Sequence, residues 1–226
     1  MIKIENVDTY GWEAAIRGMR NPLNSWDKSD SNFDCDKFDA CKICKHYDSG
    51  CNPVGGIYVG PNDLKLMKTL GNAGDDHGKF LRMITVTADI TAPLYWYKEF
   101  DTYKVGTVAN SCSTMHKIQA KEFSMNDFSH EHLDDSSKCM LRGVVGMLEA
   151  NRREFLETKD KQLWWNMIQL LPSSYNQKRT VQLNYAVLKN MYRSRKNHKL
   201  DEWHTFCDWI RSLPYSELIT GETNCE

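Results

Sequence analysis

The segment 84–100 constrains the fold of this chain more than any other stretch. Residues 84–91 alternate between apolar and polar side chains and are rich in β-branched residues, which predicts a strand. Ala92-Pro93 follows, and because proline favours the first turn of a helix, the aromatic run Leu94–Phe100 is predicted to be helical. The segment therefore indicates a chain that combines strands and helices.

The rest of the chain is mostly helical by its hydrophobic spacing. Residues 2–7 alternate like a first strand, and the region 105–137 is typical of turns and short helices. We therefore expect an α/β (α+β) chain that is helix-rich with few strands and forms one domain over residues 1–226. The predicted helices cover residues 10–20, 61–74, 94–100, 139–158, 163–171, 177–195 and 200–213.

The composition is that of a folded globular protein without a strong electrostatic field. Hydrophobic residues make up 41% of the 226 residues and charged residues 26%, a balance that argues against disorder. The net charge of −1 does not favour a nucleic-acid polymer as a partner, although a local basic patch could hold a single nucleotide. No stretch approaches the ~20 apolar residues of a membrane helix, and residues 1–7 lack the apolar core of a signal peptide. We expect a cytoplasmic protein without a membrane partner.

Four of the eight cysteines lie close together in a segment without periodicity. Residues 27–60 are rich in Asn, Asp, Ser, Gly and Pro, which indicates a Cys-rich insert or loop within the domain. Four thiolates this close could hold Zn or an Fe–S cluster in a structural role, since four cysteines leave no open position for catalysis. The alternative is a set of free or partly buried thiols. The candidate ligands are Cys35, Cys41, Cys44 and Cys51, with His46 among them.

A dense group of polar side chains follows the aromatic run. Residues 99–116 supply carboxylates, hydroxyls, a lysine and a histidine beside an apolar platform. This combination suits recognition of a flat heterocycle with a phosphate tail. The alternative is a solvated loop after a core helix.

The same region resembles the flavin-dependent thymidylate synthases. Asp76-His77-Gly-Lys-Phe-Leu, the strand 84–91 and Ala92-Pro93 are similar to a histidine, an Ile/Phe-rich strand and an Ala-Pro that occur in this order in that family. The family signature Gln-Trp-Phe-Arg-His-Arg-x-x-Ser then falls without gaps on residues 99–107. With one inserted residue, the family's Asn-Glu-x-Ser-Gly-Arg-Tyr falls on residues 110–116.

A second block further along the chain resembles the same family. Leu171-Pro172 is followed by Asn184-Tyr-Ala-Val-Leu188 and then by Asn190 and Arg195. The family has Leu-Pro, Asn-Ala-Arg-Ser-Leu and an arginine at the same spacings. Two blocks in the right order are more specific than either alone. Together they cover about half of the chain, residues 62–117 and 163–210.

The resemblance implies a flavin-dependent thymidylate synthase-like fold with a small, mostly antiparallel sheet. It implies transfer of a methylene group from methylenetetrahydrofolate to C5 of deoxyuridylate (dUMP) or a related pyrimidine nucleotide, with FAD as hydride carrier and NADPH as reductant. The protein would mainly stack the flavin on uracil, hold the phosphate and exclude water. The family is homotetrameric, so the resemblance also implies a homo-oligomer. The aromatic run 95–97 would then contribute to an interface, or alternatively pack in the core.

The matched positions imply roles for individual residues but assign no catalytic residue. A planar guanidinium at Arg195 suits a phosphate or an anionic base edge, and the alternative is a surface arginine near a helix C-terminus. The nucleotide-binding positions are Glu99, Lys104, Ser113 and Arg195. The flavin-binding positions are His77, Thr102, Tyr103, Asn184, Asn190 and His198.

The signature is altered at its basic residues. Thr102-Tyr103-Lys104 stands where the family has Arg-His-Arg, and Ile168 and Met115 align with two further family arginines. Lysine does not reproduce the fork of an arginine at a bidentate site. One alternative is therefore a nucleotide-binding relative with lost or altered chemistry, and another is a metal-stabilised interaction protein. Cys112 is either a thiol that adds to C6 of a pyrimidine or a packed, inert thiol, and the packed thiol is favoured.

Overall fold

The computed structural model describes residues 2–33 and 58–221 of the chain. Within these ranges, no helix is long and apolar enough to cross a membrane. The strands are β1 (Lys3–Tyr10), β2 (Thr85–Pro93), β3 (Val108–Ser111) and β4 (Asn176–Asn184). The helices are α1 (Trp12–Arg20), α2 (Pro61–Asn72), α3 (Leu94–Phe100), α4 (Asp135–Thr158), α5 (Lys161–Leu170), α6 (Tyr185–Arg195), α7 (Asp201–Arg211) and α8 (Glu217–Thr220). Short 3-10 turns lie at Asn21–Leu23, Trp26–Lys28, Gly78–Arg82, Ile118–Ala120 and Met125–Asp127.

The four strands form one antiparallel sheet in the order β1-β2-β4-β3. In β2 the side chains of Val86, Ala88, Ile90 and Ala92 are buried, and the residues between them are partly exposed. This is the alternation that a strand with one buried face requires. The many helices around this small sheet confirm the predicted fold class.

The chain divides into two compact units that are interleaved along the sequence. Four of the five boundaries between the units fall within strands, so each strand contributes residues to both units, and the fifth lies between Tyr103 and Lys104. Within the described residues, unit 1 comprises residues 2–5, 89–103 and 109–181, and unit 2 comprises residues 6–33, 58–88, 104–108 and 182–221.

The core of unit 1 is built on the packing of α4 against α5. Leu148 of α4 and Met167 of α5 are fully buried there. Phe123 and Phe128, from the irregular segment before α4, complete this core, which explains why that segment keeps a defined path without regular structure.

The aromatic run of α3 is also buried in unit 1. Trp96 stacks on Phe100 with ring centroids 5.0 Å apart, and Tyr97 meets Phe100 edge-on at 5.9 Å. The Tyr97 hydroxyl donates a hydrogen bond of 2.7 Å to the carbonyl of Ile90, and burial raises the pKa of this hydroxyl. Trp96 and Tyr97 therefore pack in the core, the second alternative for this run.

In unit 2, Trp12 of α1 lies at the centre of an aromatic group. Its ring meets Tyr185 edge-on with centroids 5.2 Å apart and Tyr215 at 5.3 Å. The helix α6 packs against α7 and α8, and Trp203 and Phe206 of α7 are fully buried. Aromatic pairs of this kind stabilise a core beyond the area that they bury.

A polar group, the Asp63 cluster, is buried at the start of α2 in unit 2. The carboxylate of Asp63 accepts from Nε of Arg20 at 2.6 Å, the hydroxyls of Ser29 at 2.7 Å and Ser31 at 2.6 Å, and the backbone N–H groups of Asp30 and Ser31, both at 3.1 Å. Burial of the carboxylate acts to raise its pKa, but the bonds from the serines and Arg20 outweigh this effect, so the pKa of Asp63 is lowered. The other donors of Arg20 reach backbone carbonyls. The cluster thereby fixes residues 25–31 to α2.

The backbones of Asn32 and Tyr58 form an isolated antiparallel bridge. Both residues are close in sequence to members of the Asp63 cluster. The N–H of Asn32 donates to the carbonyl of Tyr58 at 2.8 Å, and the N–H of Tyr58 donates back at 3.0 Å. The N–H of Val59 donates to the hydroxyl of Tyr215 at 2.9 Å. The two described ends that flank residues 34–57 are therefore held together.

The segment 177–195, predicted as one helix, is a strand followed by a helix. Residues up to Asn184 form β4, and α6 begins at the next residue. Val181 and Leu183 are buried at alternating positions, a period of two that the helix prediction overlooked. The side chain of Asn184 accepts the N–H of Val187 at 2.9 Å and caps α6.

The region 105–137 contains a strand that the sequence analysis missed. The residues of β3 are all exposed, so they lack the alternation of buried and exposed side chains that identifies a strand. The turns and short helices predicted for the rest of this region are present.

Candidate functional site

Glu99, Thr102 and Tyr103 lie at the end of α3 in unit 1. The hydroxyl of Thr102 donates to the carbonyl of Glu99 at 2.7 Å, and the backbone N–H of Thr102 donates to the same carbonyl at 3.1 Å. The N–H of Tyr103 donates to the carbonyl of Phe100 at 3.1 Å. These bonds terminate the helix, so the Thr102 hydroxyl is engaged in the local structure.

Ser113 lies in an exposed loop after β3, also in unit 1. Its Oγ accepts the N–H of Met115 at 3.3 Å and the N–H of His116 at 2.9 Å. Because the oxygen accepts both bonds, the hydroxyl proton can still be donated to a ligand. The indole N–H of Trp164 donates to the carbonyl of Met115 at 2.9 Å and thereby ties the loop to α5.

A connected polar group in unit 1 was not predicted from the sequence. We name it the Arg179 cluster, and it consists of Tyr97, Asp101, Cys112, Gln177 and Arg179. Nη1 of Arg179 donates to the carboxylate of Asp101 at 2.7 Å, and its Nε donates to Oε1 of Gln177 at 2.9 Å. The guanidinium carbon lies 3.7 Å from the centre of the Tyr97 ring. Nε2 of Gln177 donates to the carbonyl of Cys112 at 2.6 Å. The guanidinium of Arg179 therefore lies beside the end of α3. Thr102-Tyr103-Lys104 follows this helix and stands where the family has Arg-His-Arg.

A sequence signal for Arg179 did exist. Gln177, Arg179, Val181 and Leu183 occupy alternating positions of β4, and three of them are buried. A basic residue that falls in an otherwise buried row of a strand must find a partner, because an unpaired buried charge is costly. The helix prediction for this segment concealed that row.

Arg195 and His198 meet at the ring of Trp203 in unit 2. The guanidinium carbon of Arg195 lies 5.0 Å from the ring centre, and the His198 ring lies 6.2 Å away, edge-on. Nδ1 of His198 accepts the N–H of Leu200 at 3.1 Å. Because Trp203 is fully buried, it fixes the position of both predicted residues.

Asn184 has a structural role at the start of α6 in unit 2. Besides capping the helix, it directs its Nδ2 at the carbonyl of Gly106, 3.5 Å away. Gly106 has a φ of +75°, and a Cβ at this position would lie 2.2 Å from Nδ2 of Asn184. The loop that contains the exposed Lys104 is thus held to α6. Asn190, near the middle of α6, is exposed and accepts from the Ser194 hydroxyl at 3.5 Å.

His77 lies exposed in the turn that precedes Gly78–Arg82 in unit 2. Lys189 of α6 was not assigned by the sequence analysis. Its ammonium donates to the carbonyl of Gly71 at 2.7 Å, and burial lowers the pKa of this ammonium while the charge of Asp75 opposes the shift. A partly buried cation therefore lies near the turn that carries His77.

The cysteines fall into two groups. The predicted metal ligands Cys35, Cys41, Cys44 and Cys51 lie outside the described residues. In residues 2–33 and 58–221, no group of three or more His, Cys, Asp or Glu side chains is arranged to hold a metal ion. Cys112 is exposed, so the packed-thiol interpretation is wrong. Its backbone N–H donates to the carbonyl of Lys178 at 2.9 Å, which fixes its position against β4.

A recess of about 790 Å³ lies beside the Asp63 cluster in unit 2. None of the residues assigned to nucleotide or flavin lines it. Its lining consists of Arg20, Leu23, Ser25, Asp27, Lys28, Ser29, Asp30, Asn62 and Leu66.

Among the solved structures that resemble this chain, three do so along almost its whole length. Two are flavin-dependent thymidylate synthase ThyX from Helicobacter pylori with FAD and dUMP. The first has a TM-score of 0.64 and 16% sequence identity, over 96% of this chain and 98% of that chain. The second has a TM-score of 0.66 and 16% sequence identity, over 98% of this chain and 97% of that chain. The third, the UMP/dUMP methylase PolB from Streptomyces cacaoi with 5-Br dUMP, has a TM-score of 0.57 and 13% identity over 98% and 95%. No protein-family model matches the sequence, and no curated protein matches it at a significant level.

These likenesses establish the class of fold. The chain has the fold of the flavin-dependent thymidylate synthases, as the sequence resemblance implied. The UMP/dUMP methylase PolB is a further structure of similar fold.

Proposed function

We propose that the protein is a cytoplasmic flavin-dependent enzyme that reductively methylates dUMP or a related pyrimidine nucleotide. Methylenetetrahydrofolate would donate the one-carbon unit, and NADPH would reduce the flavin. The observation that supports this function most strongly is the full-length likeness to ThyX solved with FAD and dUMP. The likeness to a UMP/dUMP methylase also supports a pyrimidine nucleotide as substrate.

We assign the nucleotide to Glu99, Lys104, Ser113 and Arg195 by resemblance to the family, and the local geometry of Ser113 and Arg195 supports the assignment. Ser113 can donate its hydroxyl proton, because its oxygen already accepts two backbone bonds. Arg195 presents a guanidinium that Trp203 holds in place, which suits an anionic oxygen of the nucleotide.

We assign FAD to His77, Thr102, Tyr103, Asn184, Asn190 and His198, and these residues fit it to different degrees. His77 and Asn190 are exposed and offer an imidazole and an amide to a ligand. The Thr102 hydroxyl and the Asn184 carbonyl oxygen bond to the backbone, so these two residues shape the ends of α3 and α6. The bound flavin would supply the hydride that reduces the transferred carbon.

The test is reconstitution of the purified full chain with FAD. We expect flavin absorption bands in the protein fraction, and NADPH-dependent formation of thymidylate that requires both dUMP and methylenetetrahydrofolate. Ser113→Ala should weaken dUMP binding about tenfold, because a hydrogen bond to a charged group is lost. Ser136→Ala, at an exposed serine of α4, is the matched control and should leave binding unchanged. A protein that takes up no FAD would refute the proposed reaction.

The second candidate is a nucleotide-binding relative with lost or altered chemistry. The bond from the Thr102 hydroxyl to the Glu99 carbonyl favours it, since a turn-closing threonine stands where the family has an arginine. Thermal melts separate the two candidates: the relative should be stabilised by dUMP but not by FAD, whereas the enzyme should be stabilised by both.

We also propose that the chain forms a homo-oligomer, a tetramer by resemblance to the family. The face of α4 supports self-association: Met140 is 75% exposed and Met147 is 56% exposed, and Gly143 and Gly146 add no side chain between them. Exposed apolar side chains grouped on one helix face are typical of an interface. Light scattering coupled to gel filtration should give a multiple of 26.2 kDa, and Met147→Glu should lower it. A wild-type protein that elutes as a monomer at micromolar concentration would contradict this proposal.

A further inference from the structure

Arg179 is held in a defined orientation by three neighbours in unit 1. Tyr97, buried in the core, supports the flat face of the guanidinium at 3.7 Å. Gln177 binds Nε and Asp101 binds Nη1 in the plane of the group. The Arg179 side chain is only 12% exposed, so its orientation is fixed before any ligand arrives.

The guanidinium has donors left over. Two of its N–H groups are engaged by Gln177 and Asp101, and Nη2 has no acceptor within the described residues. A guanidinium offers its donors as a planar fork that matches phosphate or carboxylate oxygens. The remaining exposed part of Arg179 is therefore suited to an anion.

Asp101 is an exchangeable partner for this fork. Its side chain is 51% exposed, and one of its oxygens binds Arg179 at 2.7 Å. Because water screens the half-exposed Asp101 carboxylate, this ion pair contributes little to stability, about 1 kcal/mol. An incoming phosphate could therefore replace the carboxylate at the fork at small cost.

Gln177 links Arg179 to the loop that carries Ser113. Its amide oxygen accepts from Arg179, and its amide nitrogen donates to the carbonyl of Cys112, the residue before Ser113. Gln177 is buried, so it holds the loop and the guanidinium to the same strand. The chain thereby keeps a free guanidinium donor and a free hydroxyl proton on connected parts of unit 1.

We propose that Arg179 and the hydroxyl of Ser113 bind the phosphate of the nucleotide, and that Gln177 positions them. This inference rests on the proposed function. Arg179 would take the place of the family arginines that align with Thr102-Tyr103-Lys104. The ligand class is a phosphate monoester, because two donors of different shape, a fork and a hydroxyl, suit a tetrahedral anion with several free oxygens.

The test compares the binding of dUMP, deoxyuridine and inorganic phosphate to the full chain by calorimetry at one fixed salt concentration. Arg179→Gln should weaken dUMP binding about a hundredfold and Arg179→Lys about tenfold, since lysine keeps the charge but loses the fork. Neither variant should change the affinity for deoxyuridine, which lacks the phosphate. Asp101→Asn should tighten dUMP binding about threefold, because it weakens the bond that holds Nη1 and removes a negative charge that repels the phosphate.

Lys178→Gln is the matched control. Lys178 is the adjacent cation on β4, its side chain points to the opposite face, and it pairs with Asp89 at 3.0 Å. This variant should bind dUMP like the wild type. Melting temperatures of all variants establish that they are folded.

Two results for Arg179→Gln would overturn the inference: binding of dUMP within twofold of the wild type, or an equal loss of affinity for dUMP and deoxyuridine. A loss of dUMP affinity in Asp101→Asn would also contradict it, since that outcome belongs to a purely structural ion pair. If the wild type binds neither dUMP nor deoxyuridine, the proposed function fails. Inorganic phosphate binding that is lost in Arg179→Gln would in that case still support the anion site.

Discussion

Replacement of Asp63 by asparagine should destabilise the protein strongly although it removes no volume. Asparagine keeps one acceptor oxygen but leaves the Arg20 guanidinium buried without a counter-charge. Breaking a buried ion pair from one side costs about 3–5 kcal/mol, and the retained oxygen places the expected loss near the lower end, about 3 kcal/mol. With a urea m-value of about 2.5 kcal/mol/M, the unfolding midpoint should fall by about 1.2 M. The assay is urea unfolding at pH 7, followed by far-UV circular dichroism and tryptophan fluorescence.

The control for this prediction is an ion pair of the same type at the surface. Asp208 binds Arg211, and its side chain is 70% exposed. Asp208→Asn should change the free energy of unfolding by less than about 1 kcal/mol. A second check is Arg20→Met combined with Asp63→Asn, whose loss should be smaller than the sum of the two single losses by about 1 kcal/mol or more. Equal midpoints for Asp63→Asn and Asp208→Asn would refute the reasoning, because burial would then not determine the cost.

Three further predictions concern pH, thiols and metal. The hydrogen bonds from Arg152 lower the pKa of Glu149 to about 2. The ionised Glu149 therefore stabilises the fold fully above its unfolded pKa of 4.5, and this stabilisation is lost as the pH falls towards 2. Glu149→Gln should flatten that part of the acid unfolding curve. Burial raises the pKa of Cys207 to about 11, so iodoacetamide at pH 8 should label the exposed Cys112 and leave Cys207 unmodified in a native-state mass spectrum. Metal analysis should find about one zinc, or an iron–sulfur cluster, per chain, and a chain without either would contradict the site predicted at residues 35–51.

The sequence predicted best those elements whose pattern is local. The alternation of β2, the proline that starts α3 and the apolar spacing of α4 depend on near neighbours, and the structure reproduces all three. The fold class follows from these elements and from the resemblance. Residues 177–184 were wrongly predicted as helix. The strand is buried on one face only, and its polar residues were read as the start of the apolar helical pattern that follows it.

The polar contacts of the candidate site could not be predicted in this way. Asp101 and Arg179 are 78 residues apart, and Asp63 binds Arg20 across 43 residues. Such partners become neighbours only when the strands and helices have packed, so no local pattern identifies them. The role of Asn184 as a helix cap was also hidden, because the predicted helix began before it.

Because Asn32 and Tyr58 pair with each other, the number of residues between them should have little effect on the free energy of folding. The two residues bond to each other in both directions, so the 25 residues between them (33–57) enter and leave at one place. The entropy of closing a loop grows only with the logarithm of its length, and a change between 25 and four residues amounts to about 1.6 kcal/mol. Residues added to the chain at this pair would therefore cost the rest of the protein little closure entropy. The same position is suited to the insertion of a reporter domain or an affinity peptide.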